Sequence, residues 1–177
     1  MADGAAMLPA VNGVEKLCQK CGLCCDSTLF ADVELRAGDV AAKLRQAGLT
    51  LFQKRPGKLA FAQPCPCFDG TNCGIYPERP RRCRTFECGL LKRLERGEIT
   101  APGALKKIAS AKARAGRVRE LLRLNGQSDA SVAMTHRYQA AMSAPVEMSQ
   151  ADAPEFRGEL MLAVNDLMQV LQRDFLA

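Results

Sequence analysis

The chain has no tryptophan, two tyrosines and a single histidine in 177 residues. Its core must therefore be mostly aliphatic. With His136 as the only imidazole, neither a Ser–His–Asp arrangement nor a histidine-rich metal site has material to draw on. No apolar run approaches the roughly 20 residues that a membrane helix needs. The stretch from Met1 to Val14 is rich in small residues, carries Asp3 where a signal peptide wants Lys or Arg, and lacks a continuous apolar segment. Secretion is therefore not expected, and the cytoplasm is. Phosphate-cradling loops of the G-x-x-x-x-G-K-[ST] and G-x-G-x-x-G types are also missing. Any enzyme activity would have to run through a metal site, so whether the chain is an enzyme stays open.

What the chain does have is cysteine. It carries nine, all between Cys18 and Cys88. In a reducing compartment that density points to metal ligation or thiol chemistry rather than disulfides, and an odd number leaves one thiol over in any fully paired framework. A hydrophobic fraction of 47% excludes a disordered chain, and the length suits one domain with a modest core.

Residues 1–15 read as a flexible leader, 16–97 as a cysteine-cluster metal-binding region and 98–177 as a helical region of the same domain. Cys18 to Cys25 form a knot too polar and turn-rich for a regular element. Val33 and Leu35 alternate with polar neighbours, as in a short strand. A short helix is expected after Gly38, with Asp39 as its N-cap and Gly48 closing it. Two extended runs, Thr50–Gln53 and Lys58–Ala62, flank a turn at Arg55-Pro56-Gly57. After Cys88 the pattern becomes helical. One short helix runs from Gly89 to Arg96 and stops at Gly97. A longer one starts at Thr100 with Pro102 in its first turn and carries the stripe Leu105, Ile108, Ala111, Ala115, Val118 and Leu122 up to Gly126. A third is expected over Ser128–Met142. A last, from about Pro154 to Phe175, shows Leu160, Val164, Leu167, Leu171 and Phe175 on one face. The expected fold class is α+β: a small, irregular, metal-stapled half with short strands, packed against a helical C-terminal half.

The first cysteine cluster is Cys18-Gln-Lys-Cys21-Gly-Leu-Cys24-Cys25. Two residues between thiolates let one turn of chain wrap a metal centre, and Gly22 suits a position of positive φ. Overlapping C-x2-C units are similar to the ligand run of bacterial-type ferredoxins, in which the fourth cysteine serves another cluster. Here the fourth follows at once, and Asp26 rather than proline comes next. The second cluster is Cys65-Pro-Cys67-x5-Cys73-x9-Cys83-x4-Cys88. Neither knot closes a zinc ribbon by itself, so the simplest geometry interleaves the two.

The order Cys18-x2-Cys21-Gly-x-Cys24-Cys25, Cys65-Pro, then Cys73-Gly-Ile-Tyr76-x2-Arg79-Pro80-x2-Cys83-Arg84-x-Phe86-x-Cys88 resembles the YkgJ-type cysteine cluster proteins, a family described as chelating zinc or iron. The resemblance covers roughly residues 15–90. It implies that Cys18, Cys21, Cys24, Cys25, Cys65, Cys73, Cys83 and Cys88 are the metal-binding cysteines. Cys67 stands where a bulky apolar residue is more usual and reads as a bystander.

Near-absence of histidine and the C-x2-C-x2-C run favour an iron–sulfur cluster, while a four-cysteine zinc site fits the same soft donors. A thiol–disulfide redox pair lacks the βαβ context that would activate it, and the C-x3-C-x2-C triplet of radical enzymes does not occur. Arg79 and Arg84 are positioned to support the thiolates from behind, as donors to them or as fasteners of the loop. His136 lies far from both knots and reads as a surface or packed residue. Residues 77–124 carry 14 Lys and Arg against 5 Glu, or +9, leaving −3 for the rest of a chain of net charge +6. That stretch offers a surface for an acidic protein partner. Without interleaved aromatics nucleic acid is not expected, and a helix face neutralised by Glu147, Asp152, Glu155, Glu159, Asp166 and Asp174 accounts for it as well. The function expected is an accessory, structural or sensory metal-binding protein; the alternative is an iron–sulfur redox or modifying enzyme with an open metal position.

Overall fold

The computed structural model describes residues 17–19, 21–145 and 153–176. The expected leader therefore lies outside the described residues. Among those described, the architecture is α+β: a small antiparallel sheet with helices concentrated in the C-terminal half.

Strands β1 (Asp32–Glu34), β2 (Leu51–Arg55) and β3 (Lys58–Ala62) pair in the order β1-β3-β2. Val33 and Leu51 both stand opposite Phe61, so β3 carries the residue on which the sheet closes. Val33, Leu35, Leu44, Leu49 and Phe61 form a small buried cluster under the sheet and helix α1 (Ala41–Gln46). Asp32 and Glu34 alternate with Val33 along β1. They pair with Lys54 (2.6 Å) and Arg55 (3.0 Å) of β2. Helix α1 begins at Val40 without a side-chain cap, so Asp39 is not the N-cap expected of it. Its carboxylate instead accepts the backbone N–H groups of Arg36 (2.8 Å) and Arg81 (2.7 Å), which fastens the loop before α1 to helix α2 (Arg81–Thr85).

Helix α3 (Gly89–Glu95) ends before Gly97, as expected. Helix α4 (Ala101–Leu124) is capped by Thr100, whose hydroxyl accepts the N–H of Gly103 at 3.3 Å. Its buried stripe runs through Ala104, Ile108, Ala111, Ala115, Val118, Leu121 and Leu122. Leu105, expected on that stripe, is 42% exposed. The alternating steps of four and three place Ala104 on the buried face and turn Leu105 away from it. Helix α5 (Met134–Ser143) starts later than expected because Asp129 holds the backbone N–H and hydroxyl of Ser131 in a local turn. Helix α6 (Ala153–Leu171) continues into a single π turn over Gln172–Leu176. Leu160, Leu167, Leu171 and Phe175 are buried and Val164 partly so, as the spacing implied.

The larger core gathers α3 to α6, but it also takes Leu17 and Leu23 from the first cysteine knot and Leu90 and Leu91 from just after the second. Much of the positive charge of residues 77–124 is answered internally. Arg114 pairs with Asp166 and Arg117 with Glu159, and Arg123 pairs with Glu120. Asp174, 2% exposed at its side chain, receives Lys107 (2.6 Å), Arg173 (2.9 Å) and Arg93 (3.4 Å). Burial alone would push its carboxyl upward, but the donors from Arg173 and Lys107 outweigh it and hold the group below the ordinary aspartate range. Among the described residues no helix is long and apolar enough to cross a membrane.

Candidate metal centre

The first cysteine knot begins helically, with Leu17–Gln19 in helical conformation, so it is more regular than its composition suggested. It then turns on Gly22, whose φ is +70° and whose carbonyl accepts the N–H groups of Cys25 (2.8 Å) and Asp26 (3.0 Å). A Cβ at this position would stand 2.3 Å from Cζ of Phe68, so both backbone conformation and close approach require glycine. The knot is pinned to the helical core from two directions. Arg119 of α4 binds the Asp26 carboxylate at 2.9 Å and the Thr28 hydroxyl at 2.8 Å. The buried hydroxyl of Ser27 accepts the N–H of Met134 at the start of α5.

The second set of cysteines comes from loops and helix ends. Cys65 follows β3, and its N–H donates to the Cys25 carbonyl at 2.8 Å, which lays the two motifs side by side. Cys73 forms an isolated antiparallel bridge with Phe68. Cys83 lies within α2, and Cys88 is the residue immediately before α3. The eight cysteines of the family motif line two neighbouring cavities. The larger, about 430 Å³, meets Cys18, Cys24, Cys25, Cys65, Cys73 and Cys83; the smaller, about 60 Å³, meets Cys18, Cys21, Cys24, Cys25 and Cys88. Cys67 lines neither. Its Sγ donates to the Ala47 carbonyl at 3.1 Å and packs against the sheet cluster.

All nine thiols are free. Burial pushes the Cys21 and Cys65 thiols up to about 12 and Cys83 to about 11, and it raises Cys18, Cys24 and Cys25 as well. Neighbouring thiols add to most of these shifts: for Cys25 the contributors after burial are Cys65, Cys83 and Cys73. A thiol held protonated by burial and by other thiols becomes a thiolate only when a cation shares the space. Arg79 supplies the one positive contribution in common, lowering Cys18 and Cys83 after burial has raised them. Its guanidinium stacks 3.5 Å above the Tyr76 ring, and its Nε and Nη1 are buried without a hydrogen-bond partner.

Arg84, its expected companion, is exposed on α2, whereas Arg82 reaches the rim of the larger cavity. His136 is exposed on α5, outside both cavities. Sequence reasoning missed the Phe30–Phe86 edge-to-face pair (5.0 Å) on the cavity wall, the seat of Phe68 on Gly22, and the Arg119–Asp26 clamp. Of these only Gly22 carried a local signal, since its turn needs positive φ; the rest join residues far apart in the chain.

The donor set fits a soft metal. It is all thiol, raised first by burial and then by neighbouring thiols, and faced by a guanidinium with orphaned N–H groups that thiolate or sulfide would satisfy. Among the described residues no three Cys, His, Asp or Glu side chains are already drawn together as a single ion needs. The thiols stand around a space instead of converging on a point.

The fold and site thus define a cysteine-only, metal-chelating domain wrapped onto a helical core. Residues 17–103 match the family model CxxCxxCC, described as a putative zinc- or iron-chelating domain. This agrees with the likeness to YkgJ-type proteins seen in the two motifs. No curated protein and no solved structure matches the chain.

Proposed function

We propose that this protein is an iron–sulfur protein in which Cys18, Cys21, Cys24, Cys25, Cys65, Cys73, Cys83 and Cys88 are the ligands and Arg79 a supporting donor. The observation that carries the reading is the placement of these thiols on the walls of a cavity of about 430 Å³ and a smaller neighbour. A single zinc ion sits about 2.3 Å from each of four sulfurs and leaves no chamber between them. An iron–sulfur cluster has a core of its own and needs room inside the ring of thiolates. Its role here is structural or sensory, in the cytoplasm. The thiols lie where the sheet cluster meets the helical core, with Cys65 and Cys83 packed on the first and Cys21 and Cys88 on the second. A centre held by both sides fastens one to the other, and its loss would release the sheet side from the helical core.

Anaerobic purification, with iron, zinc and acid-labile sulfide measured beside a visible spectrum, tests the reading. Iron and sulfide in equal amounts with a broad absorption near 400 nm are expected. Zinc without sulfide and with a featureless visible spectrum overturns the iron–sulfur reading while leaving chelation intact.

A further inference from the structure

We infer that the eight thiols form two metal centres of four thiolates each, both built from the two motifs together: Cys18, Cys21, Cys24 and Cys88 in one, Cys25, Cys65, Cys73 and Cys83 in the other. The division rests on the reading of these cysteines as ligands and goes on to say how many centres they make.

The walls of the two cavities sort the residues. Cys21 and Cys88 line only the smaller cavity, and both pack against the helical core. Cys65, Cys73 and Cys83 line only the larger, with Cys65 and Cys83 against the sheet cluster. Cys18, Cys24 and Cys25 line both, so they form the partition. Thiolate centres close with four sulfurs. One of the three shared cysteines must therefore complete the set of three, and two must complete the pair.

Cys25 belongs with the three. Its carbonyl accepts the N–H of Cys65 at 2.8 Å, and it shares the wall of the larger cavity with Cys65, Cys73 and Cys83. Cys18 and Cys24 remain for Cys21 and Cys88, with which they share the wall of the smaller cavity. The adjacent Cys24 and Cys25 then serve different centres, as the last cysteine of a ferredoxin-type run does. Arg79 lines the larger cavity together with Cys18 of one set and Cys83 of the other. A guanidinium between two centres of net negative charge reduces their repulsion, which gives its unpartnered donors a purpose.

The protein is reconstituted without oxygen, using ferrous iron and sulfide in one arm and zinc alone in the other, and the bound metal is counted. The native chain should hold about two zinc, which counts the centres, or iron and sulfide in equal amounts. The paired variants Cys21→Ala/Cys88→Ala and Cys65→Ala/Cys73→Ala should each retain about half the native metal and half the visible absorption. Cys67→Ala should retain all of it. A native count of about one zinc overturns the division, and so does either paired variant losing all its metal, which is the behaviour of a single centre bridged by shared thiolates. A native protein without metal overturns ligation itself and the division with it. Hydrogen exchange in α6 monitors folding of the variants; should one fail to fold, the native count decides alone.

Discussion

The helical region and the cysteine region reach order by different means. Helices α4 and α6 bring Ala104, Ile108, Ala111, Val118, Leu121, Leu122, Leu160, Leu167 and Leu171 into one apolar interior that excludes water without help. Between Asp26 and Cys88 the buried aliphatic and aromatic residues are few: Val33, Leu35, Leu44, Leu49, Ala60 and Phe61 around a three-stranded sheet. Eight thiols occupy the place where further core side chains would stand. Burial of that kind costs nothing while the thiols are protonated, but it contributes little apolar area. The contrast implies that α4 and α6 hold together by burial, whereas the segment from Leu17 to Cys88 depends on its metal.

Removing metal is the strongest way to break the comparison. Structural metal binding in small cysteine sites supplies on the order of 10 kcal/mol of apparent folding free energy. Chelation should abolish amide protection from about Leu17 to Cys88 while α6 keeps much of its own; Cys21→Ser should lower protection around the first motif, and Cys67→Ser should change little. Equal behaviour of the two serine variants in hydrogen exchange would remove the distinction between ligand and bystander.

The converse test removes packing from the helical side. Leu122 is fully buried on α4, and Leu122→Ala should cost about 2–5 kcal/mol, measured by denaturant unfolding of the metal-loaded protein. The metal content per folded molecule should stay at its native value. A parallel loss of metal would show that the two regions are not separately held.

Gly22 probes the cysteine side without touching a ligand. Gly22→Ala meets Phe68 and imposes a left-handed backbone on alanine, for a cost of about 2–4 kcal/mol. Adding Phe68→Ala should restore the part due to collision and leave the part due to backbone. Gly48→Ala, with positive φ but open space around it, should show the backbone part alone.

Asp174 offers a smaller effect with a pH signature. Asp174→Asn should cost about 2 kcal/mol near neutral pH, less than a fully buried ion pair because Lys107 and Arg93 remain 29% and 32% exposed. The folded-state pKa is depressed, so the contribution is complete above the unfolded value of about 3.9 and fades as the pH falls through the folded one. Wild type and variant should therefore converge in acid. Least of all should follow from Arg123→Ala, since its pair with Glu120 lies in water; no change in thermal midpoint is expected.

Sequence by itself determined the local features, because local physics writes them within a few residues. Thr100 and Pro102 mark the start of α4, Gly48 and Gly97 end their helices, and apolar spacing marks the buried face of α6. The two cysteine motifs were likewise legible, because ligand spacing is set by the reach of one chain turn. Asp39 shows where that reasoning stops: the residue type suits a cap, yet its carboxylate holds Arg81, forty-two positions away. Leu105 shows the same limit, since Leu at its position fits the stripe nearly as well as Ala104 and only the packed neighbour decides between them. Tertiary structure alone decided which thiols share a wall, that Cys67 faces Ala47 instead, and that Arg79 rather than Arg84 stands among them. Those are contacts between segments tens of residues apart. They follow from how the sheet cluster and the helical core bring two loops face to face, which no spacing within either loop encodes.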